Sequence, residues 1–258
     1  MKLKIGTLNC QNNTENRQNR NNHAILLGEH ILKQKYDILG TQELTMRFTR
    51  KVDEYLREYH FYGDYQYGRG IIGTCFPFVK TFNQGNQIIT HLPVETTRTR
   101  TMPWIPHSFK DFVRALRKPS LERRIVTRIE LETEKERIYV FNTHLDYYIP
   151  SVQKRQLNYL LKKIKKYRNY GSIIVMGDFN LEVTDTLFSD FIKELEKLDI
   201  VRVPVMDKTN ADRYSEKTAI DHLFIPKNWR ILNSGTIDME ELSNITDHKA
   251  VFVEVEIN

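Results

Sequence analysis

The sequence contains few cysteines: only Cys10 and Cys75 occur among its 258 residues. Two cysteines provide no disulfide framework, and no cysteine and histidine cluster has the spacing of a structural zinc site. Tracts of serine, glycine or proline that would mark a linker are also missing. With 40% hydrophobic and 28% charged residues, the chain can bury a sizeable core. We therefore expect a single domain over residues 1–258.

The amino terminus lacks a continuous apolar run. Met1 to Ile5 alternates apolar and charged residues, whereas a signal peptide or a membrane span requires an unbroken apolar stretch. The sequence therefore predicts a soluble, cytoplasmic protein without stable membrane insertion, and it implies no protein partner. Lysine and arginine exceed aspartate and glutamate by 39 to 33, and this net charge of +6 favours anionic ligands without identifying them.

Three familiar catalytic motifs are absent from the sequence. It has no Gly-x-Ser-x-Gly elbow, no glycine-rich phosphate loop ending in Lys-Ser or Lys-Thr, and no His-Glu-x-x-His zinc helix. The sequence therefore does not indicate a serine hydrolase, a P-loop nucleotidase or a zincin-type protease.

Short apolar or alternating runs predict strands. They are Leu3–Leu8, Asp37–Gly40, Ile125–Leu131, Ile138–Phe141, Ile173–Met176, Leu223–Ile225 and Val251–Val255. Apolar residues at helical spacing predict helices, namely Ala24–Leu32, Val152–Tyr167 and Leu187–Leu198. Helices interspersed with strands, and strand pairs joined directly, indicate a mixed α/β sheet architecture.

Polar clusters stand at the ends of these predicted strands. Four follow a strand directly: Asn9, Gln42-Glu43, Asn142-Thr143-His144 and Gly177-Asp178-Phe179-Asn180. Two precede a strand: Ile220-Asp221-His222 and Thr246-Asp247-His248. If the last two strands run opposite to the first four, all six clusters meet at one edge of the sheets.

The side chains in these clusters suit one kind of chemistry. Carboxylate and amide oxygens are hard ligands that fit Mg²⁺ or Mn²⁺, and neighbouring imidazoles can move protons or stabilise a phosphorane-like charge. Individually, Asn9 is typical of a turn residue, and His144 is typical of a structural histidine. Their joint occurrence instead predicts a metal-dependent hydrolytic site.

These clusters, in this order, resemble the endonuclease/exonuclease/phosphatase superfamily, the DNase-I-like hydrolases. The resemblance extends from Leu8-Asn9 through Thr41-Gln42-Glu43 and Gly85-Asn86 to Thr246-Asp247-His248, which is nearly the whole chain. It implies a four-layer α/β/β/α sandwich of two packed mixed sheets flanked by helices, with the active site at one rim. It also implies hydrolysis of a phosphodiester or phosphate ester with Mg²⁺ or Mn²⁺.

The resemblance further implies roles for individual residues. Glu43 would be the principal metal ligand, with Asn9 beside it and Asp247 as a further ligand. Asp178 and Asn180 would orient or deprotonate the attacking water. The remaining roles concern proton transfer and phosphate contact: His248, held by Asp221, would be the general base or a donor to the phosphate, and His144 with Asn142 would contact the scissile phosphate. At this point the roles of the two histidines are interchangeable. His222 is expected to be structural or exposed.

Two arginines are candidate phosphate ligands because a guanidinium fork matches phosphate oxygens. They are Arg124 and Arg155, and a surface role is an equal alternative for each. The Asn86 position departs from the common family pattern, since Gly85-Asn86 is followed by Gln87.

Residues 97–120 are expected to form a distinctive loop that recognises the substrate. This segment combines basic residues with Trp104, Phe109 and Phe112, a mixture that suits single-stranded or distorted nucleic acid. The apolar spacing in Ser108–Lys118 equally predicts a short amphipathic helix that touches lipid, covers a small-substrate pocket or packs on the sheets. Tyr147 and Tyr148, directly after the His144 cluster, are further candidates for substrate contact.

Three functions remain open on this evidence. A nuclease or nucleotide phosphodiesterase comes first, and a phospholipid or sugar-phosphate phosphoesterase comes second. A non-catalytic binding protein is a distant third, because none of the six clusters lacks its expected residues. The partner is then a phosphate-containing substrate, with nucleic acid as one possibility.

Overall fold

The computed structural model describes residues 1–10, 17–66, 84–106, 110–113, 123–205, 209, 219–237 and 246–257. In this part of the chain the strands form two six-stranded mixed sheets. No helix among these residues has the length and apolar character needed to cross a membrane.

The first sheet joins strands from both ends of the chain. In spatial order it contains β11 (Arg230–Ile237), β12 (Ala250–Glu256), β1 (Lys2–Asn9), β2 (Ile38–Thr45), β4 (Gln84–Thr90) and β3 (His60–Gln66). Helices α1 (Arg17–Gln34) and α2 (Met46–Tyr55) pack on its outer face, where Leu27, Ile31 and Val52 share a buried cluster with Leu39. Thr45 begins α2 as its N-cap, because its hydroxyl accepts from the Phe48 amide.

The second sheet is built from the middle of the chain. Its spatial order is β5 (Val94–Thr101), β6 (Ile125–Glu132), β7 (Arg137–His144), β8 (Ser172–Asp178), β10 (Asp221–Pro226) and β9 (Ile200–Arg202). Helices α3 (Pro150–Tyr167) and α4 (Thr186–Glu196) cover its outer face. Proline at the start of α3 fits that position, since the first helical residue needs no amide donor.

The alternation of side chains along the strands produces the layers. In β8, Ile174 and Met176 enter the core between the two sheets, whereas Ile173 and Val175 enter the core under α3 and α4. All seven residues of β8 are buried because both faces of the strand are covered. The described residues thus form the expected four-layer α/β/β/α sandwich, so the predicted fold class is confirmed.

All seven predicted strands and all three predicted helices are present. The prediction did not include β3, β4, β5, β9 and β11. Two of these, β5 and β11, are exposed edge strands without an apolar alternation. The expectation of a loop over residues 97–120 is wrong at its start, since residues 97–101 belong to β5. Of the helix expected over Ser108–Lys118, residues 110–113 are helical and the others lie outside the described residues.

Candidate active site

The strand register brings the polar clusters to one rim of the sandwich. In the second sheet His144 pairs with Asp178 across parallel strands, and Asp221 pairs with Asp178 across antiparallel strands. In the first sheet Asn9 pairs with Gln42 in parallel, and β12 runs antiparallel to β1. The last two cluster-bearing strands therefore do run opposite to the others, as convergence at one edge requires.

A β-bulge in β2 turns Glu43 into this rim. The register between β2 and β4 shifts between Thr41 and Leu44, and Glu43 has a left-handed φ of 63°. Such a conformation is costly for a residue with a side chain and is typical of functional positions. The carboxylate accepts from Asn9 Nδ2 at 3.4 Å on Oε1 and from Gln84 Nε2 at 2.9 Å on Oε2. Amide donors thus orient both oxygens of Glu43.

Asp178 lies at the centre of the cluster, where β8 ends. Its Oδ2 accepts from Asn9 Nδ2 at 2.9 Å, and its Oδ1 accepts from the Asn180 amide at 2.9 Å. Burial and the nearby Asp221 charge raise the pKa of Asp178 to about 6, against the opposing effect of His248. Glycine is required just before it, because a Cβ on Gly177 would lie 1.9 Å from the Thr143 carbonyl oxygen.

Asn180 is the second site residue with a left-handed backbone, at φ 52°. Its side-chain amide donates to the Leu145 carbonyl oxygen at 3.1 Å. This bond joins the turn after β8 to the turn after β7. Asn180 is thereby held in a sparsely populated conformation beside Asp178.

His248 and Asp221 form a buried hydrogen-bonded pair. His248 Nδ1 lies 2.7 Å from Asp221 Oδ2, and His248 Nε2 lies 4.0 Å from Asp178 Oδ2 and 3.5 Å from Asp247 Oδ1. Burial alone would lower the pKa of His248, but the carboxylates of Asp221, Asp178 and Asp247 together raise it to about 10. His248 is therefore an imidazolium cation with three carboxylates around it.

His144 is held differently, by Arg124. Arg124 Nη1 lies 2.9 Å from His144 Nδ1 within the buried rim. Because a guanidinium only donates, Nδ1 must be the acceptor, and the ring proton of His144 is on Nε2. That Nε2 lies 3.5 Å from Asp178 Oδ2. The two histidines are therefore distinguishable: Arg124 donates to Nδ1 of His144, which leaves Nε2 as its donor, whereas Asp221 supports a charged His248.

The rim offers an oxygen-rich set of ligands for a divalent cation. The carboxylates of Asp178 and Asp221 lie at this rim together with those of Glu43, whose Oε1 is 4.0 Å from His144 Nδ1, and Asp247, whose Oδ1 is 3.5 Å from His248 Nε2. Several close carboxylates repel one another unless a cation is shared among them. Carboxylate oxygens are also the ligands that Mg²⁺ and Mn²⁺ prefer. The residues present thus fit the predicted metal.

Asn142 does not fit its predicted contact with the scissile phosphate. It is fully buried, and its Nδ2 donates to the carbonyl oxygens of Thr41 at 2.9 Å and Gln87 at 2.8 Å. Its Oδ1 accepts from Gln42 Nε2 at 2.7 Å. Both amide hydrogens are therefore used between the two sheets, beneath the rim. Asn86 also links the sheets, since its Nδ2 donates to the Ile125 carbonyl oxygen at 2.9 Å.

Arg155 and Trp104 both make contacts within the chain. Arg155 lies on α3, and its Nη1 donates to the Ile105 carbonyl oxygen at 2.5 Å. Trp104 packs with Tyr148 against Ile149 and Val152, and the Arg123 guanidinium lies 5.5 Å from the Trp104 ring. One indole face is therefore already covered. Tyr147 is 43% exposed, which is compatible with substrate contact.

The sequence indicated the role of His222 but not that of Gln84. His222 is buried among phenylalanines, and its Nε2 donates to the Leu181 carbonyl oxygen at 2.8 Å, so its structural role was predicted correctly. Gln84, which holds Glu43, was missed. Its only sequence signal is the polar run Gln84-Gly85-Asn86-Gln87 ahead of apolar Ile88-Ile89, and β4 buries all of these residues.

Comparisons with known proteins agree with this geometry. The model of the endonuclease/exonuclease/phosphatase family matches residues 6–248. A family structure from Bacteroides vulgatus has 18% identity and a TM-score of 0.76 over 100% of both chains. Danio rerio TDP2, in a complex with a single-strand DNA product, has 14% identity and a TM-score of 0.73 over 99% of both chains.

A mannosyl-6-phosphatase from Bacteroides thetaiotaomicron has 17% identity and a TM-score of 0.70, with 99% of this chain and 100% of that chain covered. A search of curated proteins gives no significant match. Two sheets flanked by helices, with carboxylates and histidines at one rim, define the DNase-I-like class of fold. The chain belongs to the endonuclease/exonuclease/phosphatase family, whose members are hydrolases that act on phosphate esters and generally use divalent metals.

Proposed function

We propose that this chain is a divalent-metal-dependent hydrolase of phosphodiester or phosphate ester bonds. The observation that carries the proposal is the rim itself, where Glu43, Asp178 and His248 meet from three different segments of the chain. Two of the site residues, Glu43 and Asn180, have a left-handed backbone conformation that is costly for a residue with a side chain.

The proposed metal is Mg²⁺ or Mn²⁺, with Glu43 as the principal ligand and Asn9 and Asp247 beside it. When bound, such an ion polarises a phosphoryl oxygen and neutralises charge in the transition state. The chain supplies orientation, because Asn9 and Gln84 hold the Glu43 carboxylate.

Asp178 is the proposed acceptor of a proton from the attacking water, which Asn180 helps to orient. Its raised pKa, about 6, makes it a stronger base than an ordinary aspartate at neutral pH. His248 is the proposed proton donor to a phosphoryl or leaving oxygen, since its pKa is raised to about 10. His144 donates through Nε2 to the phosphate, with Arg124 holding its Nδ1.

For the substrate we propose a nucleic acid or nucleotide diester first. Edge strand β5 carries Arg98 and Arg100, both exposed, and it ends opposite Ile125, the residue after Arg124. A basic strand that leads to the site fits a chain of phosphates. The TDP2 relative bound to a DNA product supports this choice. A sugar-phosphate or phospholipid ester is the second candidate, supported by the mannosyl-6-phosphatase relative. A binding protein without activity is the remaining alternative.

Glu43→Gln tests metal-dependent hydrolysis. Glutamine keeps the shape of the side chain and loses its charge, so we expect turnover with Mg²⁺ or Mn²⁺ to fall below detection while the circular dichroism spectrum is unchanged. Glu132→Gln is a matched control, because Glu132 pairs with Arg137 on the exposed surface. Full turnover in excess chelator, or wild-type activity of Glu43→Gln at saturating metal, contradicts the proposal.

The salt dependence of KM tests the nucleic-acid substrate. Each neutralised phosphate contributes a slope of roughly −0.7 to −0.9 in log affinity against log salt. We expect KM for DNA or RNA to rise steeply with salt, and Arg98→Ala with Arg100→Ala to flatten this dependence. The exposed α3 pair Lys162→Ala with Lys166→Ala is the control and leaves it unchanged. A sugar or lipid phosphate hydrolysed at least about a hundredfold more efficiently than any nucleic acid at low salt would overturn this choice.

A further inference from the structure

Asn142 lies beneath the rim and reaches from the second sheet into the first. It stands two residues before His144 on β7, so both side chains leave the same face of that strand. It is fully buried, and its Nδ2 donates to the carbonyl oxygens of Thr41 at 2.9 Å and Gln87 at 2.8 Å. Both acceptors belong to the first sheet. Asn142 therefore links the strand that carries His144 to strands β2 and β4.

These two carbonyl groups lie where the bulge that turns Glu43 begins. Thr41 and Gln87 are the last pair in register before the shift between β2 and β4, and pairing resumes at Leu44. Glu43 lies inside this interruption of the ladder, with a left-handed φ of 63°. Such a conformation persists only where the surrounding structure fixes it. The Asn142 amide provides hydrogen bonds at this point from outside the sheet that contains the bulge.

Two neighbours fix the orientation of the Asn142 amide. Gln42, the residue next to Glu43, donates through Nε2 to Asn142 Oδ1 at 2.7 Å and to Thr7 Oγ1 at 3.1 Å. Because Oδ1 accepts from Gln42, the amide nitrogen of Asn142 faces the two backbone carbonyls. Gly40 leaves room for the amide, since a Cβ there would lie 3.0 Å from Asn142 Cγ. Both the position and the direction of the amide are thus defined.

We propose that Asn142 is a positioning residue, which holds the bulge in β2 and thereby keeps the Glu43 carboxylate in the rim. The inference rests on the proposed function, since Glu43 is the proposed principal metal ligand. Asn142 contacts neither metal nor substrate in this role. It fixes instead how the two sheets meet, where Glu43 Oε1 lies 4.0 Å from His144 Nδ1. Without it the bulge can relax, and a shift of one residue in a strand turns a side chain to the other face.

Calorimetric titration with Mn²⁺ tests the proposal without turnover. Asn142→Leu keeps the approximate size of the side chain and removes its hydrogen bonds to Thr41, Gln87 and Gln42. We expect Mn²⁺ affinity to fall about tenfold, the lower end of the range for groups that support metal ligands. A loss of this size requires that Glu43 is displaced.

Thr127→Val is the matched control for the loss of a buried hydrogen bond between the sheets. Thr127 pairs with Asn142 across β6 and β7, and its hydroxyl donates to the Asn86 carbonyl oxygen of the first sheet at 2.8 Å. It is as fully buried as Asn142 but does not contact the bulge. Mn²⁺ affinity of Thr127→Val should therefore stay within about twofold of wild type.

Asn142→Thr provides a second variant in case leucine prevents folding. Threonine is common in strands, and its single hydroxyl hydrogen cannot serve both carbonyl groups, so we expect the same direction of change in Mn²⁺ affinity. Amide hydrogen exchange gives a second readout. The amides of residues 42–44 should exchange at least about tenfold faster in the Asn142 variants and at the wild-type rate in Thr127→Val. A general structural role would instead speed exchange throughout both sheets.

The proposal is overturned if both Asn142 variants bind Mn²⁺ as tightly as wild type, if Thr127→Val loses as much affinity, or if faster exchange is not confined to the bulge. A wild-type protein that binds no Mn²⁺ would also overturn it. Metal-dependent hydrolysis with unchanged Mn²⁺ affinity in the Asn142 variants rejects only the positioning role. Mn²⁺ binding that depends on Asn142, without hydrolysis of any phosphate ester, rejects only the proposed function.

Discussion

Asp221 and His222 are neighbours on β10, yet their side chains belong to different regions of the molecule. Asp221 belongs to the rim of the candidate site and accepts from His248, whereas His222 lies in an aromatic cluster with Phe179, Phe188 and Phe224. Successive residues of a strand point to opposite faces, so one step along the chain moves from one region to the other.

The two regions have opposite effects on a buried imidazole. His248 and His222 are 8% and 1% exposed, and burial alone lowers the pKa of both. Three carboxylates around His248 reverse this effect and raise its pKa to about 10, while His222, with only a backbone carbonyl to favour its proton, has its pKa lowered to about 3. The charged partners, rather than the degree of burial, therefore decide which histidine can act in proton transfer.

Removing the His248 side chain should give the largest loss of kcat, whereas removing His222 from the aromatic cluster should not lower kcat. We expect His248→Ala to lower kcat by about 10² to 10⁴, the range for a lost acid–base group. Asp221→Asn should add little to it, since the pair acts as a unit. His222→Leu, one residue away from Asp221, should leave kcat close to wild type. Steady-state kinetics of wild type, His248→Ala, Asp221→Asn, the double variant and His222→Leu measure these effects, and fully multiplicative losses in the double variant would reject the pair.

Gln84→Met should give the next largest effect, on metal affinity. Loss of the donor to Glu43 Oε2 leaves the carboxylate less well oriented, and partners of metal ligands typically contribute about 10- to 100-fold in affinity. Calorimetric titration with Mn²⁺ measures this directly. Gln34→Met, far from the rim where Gln34 contacts Lys4, is the control. Equal Mn²⁺ affinity of Gln84→Met and wild type would show that Gln84 does not position Glu43.

The smallest expected effect is a change in the free energy of unfolding at acidic pH that is caused by His222. Its folded pKa is below the unfolded value of 6.5, so the unfolded state binds the proton first and stability is lost as pH falls below 6.5. Between pH 7 and pH 5 this amounts to about 2 kcal/mol of unfolding free energy. His248 and Asp178, whose pKa values are raised, gain stability over the same pH range, so only the difference between variants isolates His222. Between pH 7 and pH 5 the change in urea-unfolding free energy of His222→Leu should differ by about 2 kcal/mol from that of wild type and of His60→Leu, where the histidine is exposed. An unchanged slope in His222→Leu would place its origin elsewhere.

Much of the site could be predicted because its residues stand at strand ends. Glu43, His144, Asp178 and His248 follow or precede apolar runs that the alternation of side chains makes visible in the sequence. Edge strands β5 and β11 were not predictable in this way, since an exposed strand has no apolar face to bury. The contacts that Asn142 and Arg155 make within the chain were not predictable for a related reason. An amide or guanidinium that donates to backbone carbonyls has the same sequence signature as one that binds phosphate.

The sequence by itself determined the class of fold, the order of the polar clusters and the acidic, metal-fitting character of the rim, because these depend on local periodicity and residue type. Only the tertiary structure decided how each group is used. The hydrogen bond from Arg124 determines which ring nitrogen of His144 carries the proton. A β-bulge in β2 turns Glu43 towards the rim, and Gln84 donates a hydrogen bond to its carboxylate. Each of these contacts joins residues distant in the chain, and such pairings arise only when the two sheets and their registers are formed.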